Sequence, residues 1–263
     1  MASPEAAFDP RPAAALLADA WRSGKRLKEL PEAIRPKTLA EGYDLQDAMV
    51  GEPGLHPQGW KLGVGSATMM RAAKIDRPLV GRVFGGRVFR NGDTISLANA
   101  GPVTVEFEIA FVLGRDIAPG DDLRDPLAAV ERMNVTFELV LSRFFDRRAV
   151  GWPSFAGDCV GFGALVVGDP ITDIEGVSKS VAISVDGREV ARGMAGDDLT
   201  YPVKAFGYLV EHARERGITL KRGEIATLGA IGKPFDLAAD AEVAAHYLGS
   251  ELRFRLQLQK EPS

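Results

Sequence analysis

The sequence predicts an α+β chain, with helices gathered at its beginning and strands filling most of the remainder. Three observations carry this expectation. The first fifty residues show helical spacing and helix-end signals. From Gly59 onward, short alternating runs are separated by turns rich in glycine. One run, Val103–Leu113, alternates without a break. Val103, Val105, Phe107, Ile109, Phe111 and Leu113 point one way and Thr104, Glu106, Glu108, Ala110 and Val112 the other. That is the period-two signature of a strand with one face in a core.

Taken in order, residues 13–21 are rich in Ala and Leu, follow Pro10 and Pro12 and end near Gly24, which predicts a first helix. Thr38 and Glu41 have the spacing of a capping box, where hydroxyl and carboxylate satisfy free amides at a helix start. Leu39, Tyr43, Gln46 and Val50 continue as a helical stripe that stops at Gly51. Residues 52–58 hold Pro53 and Pro57 and predict a loop. Trp60-Lys61-Leu62 predicts a strand entering Gly63-Val64-Gly65, and residues 66–74 a helix. Residues 83–89 have the form of a hairpin with a Gly-Gly turn, and Asn91-Gly92 marks another turn. Asp125-Pro126 predicts a helix start, carried through residues 127–133. Residues 154–163, small and mixed, predict an irregular loop. Asp186-Gly187 predicts a hairpin. Tyr201-Pro202 opens a helix with an apolar stripe of Val203, Phe206, Leu209, Val210 and Ala213 and with His212 on its polar face. Residues 224–231 and 242–248, then Leu252, Phe254, Leu256 and Leu258 in alternation, predict the closing strands.

The chain's 263 residues, 46% of them hydrophobic, suit one large domain or a domain with a small cap. With a net charge of −4 and scattered basic residues, no nucleic-acid partner and no anionic membrane surface are expected. The single cysteine, Cys159, excludes an intrachain disulfide and fits a reducing compartment. No apolar run approaches the ~18 residues of a membrane span. The first residues lack a basic region followed by an apolar core, so no secretory leader is expected. The expected location is the cytoplasm.

The chemistry must rest on carboxylates. Glu106 and Glu108 stand two apart on one strand face, roughly 7 Å between Cα atoms, so both can reach one point. Like charges that close repel unless a cation neutralises them, and Mg²⁺ or Mn²⁺ takes carboxylate oxygens readily. The alternative is a solvated strand face. A third acid, Glu138, lies among Thr136 and Val140 in the alternating run VTFELVL (residues 135–141), where a lone carboxylate is costly without a partner. Lys61, between Trp60 and Leu62, is either a snorkelling surface lysine or a group turned toward the site. Asp158 either orients a water or lysine or caps a turn. Cys159 has no histidine nearby in sequence to activate it as a nucleophile. His56, His212 and His246 sit in no recognised catalytic context, and one cysteine with scattered histidines leaves no zinc set.

These residues resemble a known family. Gly59-Trp60-Lys61-Leu62-Gly63, PLVGRVF (residues 78–84), and Glu106-x-Glu108-x-Ala110-Phe111-x-Leu113-Gly114 are similar to the 2-keto-4-pentenoate hydratase group of the fumarylacetoacetate hydrolase superfamily. ELVLSRF (residues 138–144) matches the segment with the third acid, and GALVVG (residues 163–168) and the stretch from Leu220 to Gly229 also fit. The resemblance implies a mixed β-roll over residues 59–263 with an α-helical portion over residues 1–58. It implies Mg²⁺ or Mn²⁺ on Glu106, Glu108 and Glu138, with Lys61 binding substrate or moving protons and Asp158 as a further catalytic group. It implies a small 2-keto acid as substrate, which would chelate the ion through its carboxylate and keto oxygens. A homo-oligomer is expected, with a decarboxylase or hydratase paralogue as a possible partner. The leading activity is addition of water to a 2-hydroxy-2,4-dienoate, as in catabolism of aromatic compounds. The alternatives are decarboxylation of a 2-keto diacid, C–C hydrolysis of an acylpyruvate with His56 as the local base, and a catalytically silent partner subunit.

The chain departs from the group's pattern at three places. Leu79 stands where an Asp is common, Asp158-Cys159 replaces an Asp-Asn pair, and Ala230-Ile231-Gly232 replaces a turn rich in hydroxyls. A distal pocket lined by residues 154–162 and 230–233, with Phe155, Phe162 and Ile231, is expected to favour a neutral or apolar tail, with Lys233 as the opposing feature.

Overall fold

The computed structural model describes residues 7–98, 101–123 and 125–259; the reading of a missing leader concerns residues 1–12, of which 1–6 lie outside that set. The chain begins with two helices, α1 (Arg11–Ser23) and α2 (Leu39–Val50). It continues through β1 (Pro57–Gly63), α3 (Ala67–Ala73), β2 (Leu79–Phe84), β3 (Val88–Arg90), β4 (Thr94–Ala98), β5 (Val103–Leu113) and β6 (Val130–Val140). Then come α4 (Gly151–Gly157), β7 (Phe162–Ile171), α5 (Val177–Ser180), β8 (Ala182–Val185), β9 (Arg188–Arg192) and α6 (Pro202–Glu215). The last elements are β10 (Ile225–Ala230), β11 (Phe235–Leu237), β12 (Ala241–Tyr247) and β13 (Ser250–Gln259). The fold is a mixed β-roll of the α+β class with a helical beginning.

Among the described residues the strands form two sheets. The larger runs β2-β1-β10-β5-β6-β7-β3, with β11 also on β5; the smaller runs β4-β13-β12-β8-β9. Phe107, Phe111, Phe137, Val166, Tyr247 and Phe254 fill the core the sheets share, and Phe137 meets both Phe107 and Phe254 edge-on. A second core lies under the helices, where Ala14, Leu17, Leu45 and Met49 pack with Phe84, Ala110, Val112 and Phe162. The strand β5 therefore feeds both cores, its odd-numbered face the first and Ala110 and Val112 the second. Glu106 and Glu108, with Thr104, occupy the rest of that even-numbered face.

Several expected elements differ. Thr38 and Glu41 do form the capping box on α2, but the buried stripe is Gly42, Leu45, Gln46 and Met49, one position round from the expected one. The Gly-Gly segment is no hairpin: a 3-10 turn at Gly85–Arg87 lifts the chain off β2, and β3 pairs in parallel with β7. The helix expected over residues 127–133 shrinks to a 3-10 turn, Pro126–Ala129, although Asp125 caps it as expected through the Leu127 amide. The alternation from Val130 instead extends β6, whose long antiparallel ladder with β5 outcompetes a short helix. The loop expected at residues 154–163 holds α4 and a 3-10 turn, because Phe155 and Ala156 are buried.

Candidate active site

Strand pairing brings the acids together. β5 and β6 run antiparallel with Glu106 directly opposite Glu138, and Glu108 opposite Thr136. One carboxylate oxygen from each of Glu106, Glu108 and Glu138 lies within 4.8 Å of the others. Glu108 and Glu138 are completely buried, which rules out a solvated strand face for them. Glu108 Oε2 accepts hydrogen bonds from Thr227 Oγ1 and from the Gly229 amide, the latter at 2.9 Å. That amide is aimed by a bulge in β10, whose register on β5 shifts between Thr227 and Ala230. Gly229 sits at φ +90°, where a side chain would strain the backbone and press on Thr200. Among the described residues, Glu108 Oε1 has no hydrogen-bond partner, and neither oxygen of Glu138 accepts a well-directed hydrogen bond.

Lys61 is 1% exposed. It is not a snorkelling surface lysine. Its Nζ lies 2.7 Å from Glu138 Oε1 as an ion pair and donates to the Val160 carbonyl at 3.1 Å. Alternation along β1 sends Trp60 the other way, where Glu224 accepts from its Nε1 at 2.9 Å and the Arg82 guanidinium lies 3.4 Å over its ring. Trp60 is thus held on both edge and face. Burial raises the Glu138 carboxyl to about 7, against the opposing pull of Lys61. Burial, then the charges of Glu138 and Glu106, hold Glu108 well above the usual carboxylate range. Three carboxylates with one ammonium between them leave negative charge in excess and oxygens unpartnered. Such a donor set suits a hard divalent cation, so the residues fit Mg²⁺ or Mn²⁺.

Asp158 is placed differently from the expectation. It is completely buried, it lines neither chamber of the cavity, and its carboxylate accepts from Ser142 Oγ at 2.6 Å, from the Arg143 amide at 3.1 Å and from Arg143 Nε. Arg143 also donates to the carbonyls of Asp158, Leu141 and Phe162. The pair closes a tight turn in which Cys159, Val160 and Gly161 all have positive φ (50°, 52° and 72°). Non-glycine residues resist that conformation, and the buried ion pair holds them in it. The turn's product is the Val160 carbonyl that receives Lys61. Cys159 is an inert buried thiol, raised to about 12 by desolvation.

The cavity beside the acids has two chambers that share Gly63, Val64, Met69 and Glu106. The smaller, about 100 Å³, is lined by Lys61, Val140, Arg147, Arg148, Trp152, Phe155 and Val160. Leu79, in the position where the group often has Asp, packs with Phe155 and Val160 behind it. The larger, about 420 Å³, is bounded by Leu62, Met69, Met194, Thr200, Ala230, Lys233 and Pro234 among others. Val64, a β-branched residue at φ +58°, stands between the chambers in a strained conformation. Phe155, Ala230 and Lys233 thus reach the cavity, whereas Phe162 and Ile231 are spent in the two cores. His56 lies outside both chambers.

Sequence reading missed Met69, Met194, Thr227 and the Arg147-Arg148 pair as site residues. The sequence signal for the arginines is their place just after the third acid. No local signal singles out Thr227, Met194 or Met69; the first two arrive from segments remote in sequence, and Met69 from the helix α3 that follows β1.

No protein-family model matches the chain. It is 26% identical over 243 residues to a 2-keto-4-pentenoate hydratase of Burkholderia vietnamiensis, covering 90% of this chain and 92% of that protein. It is 28% identical over 219 residues to a 4-oxalocrotonate decarboxylase of a Pseudomonas species, covering 81% and 84%. In fold it is similar to the structure of 4-oxalocrotonate decarboxylase from Pseudomonas putida G7 complexed with magnesium and adipate, with a TM-score of 0.82, 20% identity and coverage of 94% and 97%. By sequence the chain is similar to curated 2-keto-4-pentenoate hydratases along most of its length, and it shares the fold of 4-oxalocrotonate decarboxylase.

Proposed function

We propose that the chain is a divalent-metal-dependent lyase acting on a 2-keto acid or its enol, and within that class a hydratase adding water to a 2-hydroxy-2,4-dienoate to give a 4-hydroxy-2-keto acid. The observation that carries this reading is the cluster of Glu106, Glu108 and Glu138 with oxygens within 4.8 Å of one another, into which, among the described residues, Lys61 alone is paired as a cation. Those three side chains would hold Mg²⁺ or Mn²⁺. When bound, the ion supplies a Lewis acid that draws electrons toward the 2-keto oxygen.

The protein's own groups supply the remainder. Lys61, held between Glu138 and the Val160 carbonyl, is placed to hold or move a proton at the reacting carbon chain. Arg147, whose Nη2 donates to Thr104 Oγ1 at 3.1 Å, and Arg148 give the small chamber positive charge suited to a substrate carboxylate. Met69, Met194 and Pro234 offer the tail an adaptable apolar wall.

One observation favours a second reading. Lys233 lines the large chamber, and among the described residues no carboxylate pairs with it. A second carboxylate on the substrate would find it, as decarboxylation of a 2-keto diacid requires. The test is a side-by-side assay of 2-hydroxypenta-2,4-dienoate and a 2-keto diacid with Mg²⁺, following both water addition and CO₂ release. Hydration of the monoacid, lost in Glu138→Gln, is the expected result. Preferred CO₂ release from the diacid would replace hydratase with decarboxylase, and turnover of neither would favour a silent partner subunit.

A further inference from the structure

The partners of Glu108 are more specific than a buried carboxylate needs. Glu108, Thr227 and Thr136 are all completely buried. Thr227 Oγ1 is bonded to Glu108 Oε2, and Thr136 Oγ1 lies 3.1 Å from Thr227 Oγ1. Thr227 Oγ1 is the donor to Glu108, and each hydroxyl has one proton. The direction is therefore fixed: Thr136 donates to Thr227, and Thr227 donates to Glu108. With the Gly229 amide on the same oxygen at 2.9 Å, Oε2 is held by two donors from one strand. Only Oε1, unpartnered, remains for a cation.

We propose that Thr227, oriented by Thr136, is a positioning residue that restricts Glu108 to one free oxygen and thereby biases the three-carboxylate site toward Mg²⁺ over Ca²⁺. This rests on the metal-site reading above and adds selectivity to it. The physical basis is the difference between the ions. Mg²⁺ demands near-octahedral geometry with single oxygens at short distance, whereas Ca²⁺ accepts six to eight oxygens and readily takes a carboxylate by both. Releasing Oε2 lets Glu108 rotate and offer both oxygens, which penalises Mg²⁺ and suits Ca²⁺.

The test is calorimetric titration of Mg²⁺ and of Ca²⁺ into metal-stripped wild type, Thr227→Val, Thr227→Ser and Thr136→Val, with circular dichroism to establish folding. Thr227→Val is expected to lose about 10–100-fold in Mg²⁺ affinity, as removal of an outer partner commonly does, and much less in Ca²⁺ affinity, so the ratio falls. Thr227→Ser restores the ratio. Thr136→Val, which leaves the carboxylate's own contacts in place, shifts it in the same direction by less and decides the matter if Thr227→Val does not fold. Equal losses for both ions, or no change for either, would overturn the proposal. Wild type that takes up neither ion would instead defeat the metal-site reading on which it rests.

Discussion

Lys61 is held at one point by a charge and at another by a dipole. Glu138 Oε1 pairs with its ammonium at 2.7 Å and the Val160 carbonyl accepts from it at 3.1 Å. If it moves a proton during turnover, Lys61→Met lowers kcat by about 10²–10⁴-fold. Metal affinity in that variant is retained, since the substitution removes a competing cation and no ligand. Steady-state kinetics with Mg²⁺ titration checks both parts, and near-wild-type kcat would remove Lys61 from the chemistry. At this scale the acids were legible because alternation puts Glu106 and Glu108 on one face, and because Glu138 is isolated among apolar neighbours. Asp158 misled for a physical reason: its sequence neighbours are small, and nothing local reveals that Arg143 folds back to consume it. Thr227 was invisible because its meaning depends on the register of β10 and on the bulge at Gly229.

At the scale of elements, α6 shows how tertiary burial overrides a helical wheel. His212 sits on the side the pattern marks as polar, yet it is 6% exposed. Its ring lies edge-on to Tyr43 at 4.5 Å and to Trp60 at 6.4 Å, so it joins α6 to α2 and to the strand that carries Lys61. Burial, helped by the nearby charge of Arg216, lowers its pKa from 6.5 to about 4. The folded protein therefore keeps His212 neutral while the unfolded chain takes up a proton as pH falls below 6.5. Stability is unaffected by this group above that pH and is lost progressively between 6.5 and 4. His212→Phe keeps a ring in place but cannot titrate. Urea unfolding at pH 7 and pH 5 is expected to show a stability loss smaller by about 2 kcal/mol in the variant; an equal loss in both proteins would mean that the histidine is protonated in the fold. The sequence also hid the pairing of β3, since the residues it pairs with on β7 lie 77 positions downstream and three residues carry no register signal.

Across the whole molecule, the site exists because one strand is covered on both faces. The face of β5 turned to the sheet-sheet core is continuous, while the other carries acids in its first half and helix-packing Ala110 and Val112 in its second. The helical beginning thus closes the apolar end of a strand whose acidic end opens on the cavity. Helices first and strands after could be read from the chain, as could most strand positions. The curl of the larger sheet, which sets β10 beside β5 and β1 beside β10 and brings Lys61 and Thr227 to the acids, is a property of long-range pairing that no local pattern encodes. Among the described residues no helix is long and apolar enough to cross a membrane.

The convergence of the three carboxylates on one cation is tested most directly by anomalous diffraction from crystals soaked in Mn²⁺. The account predicts a single strong anomalous peak within bonding distance of Glu106, Glu108 Oε1 and Glu138, lost in crystals of Glu138→Gln. A peak elsewhere, or the three side chains turned to separate partners with no peak among them, would contradict it.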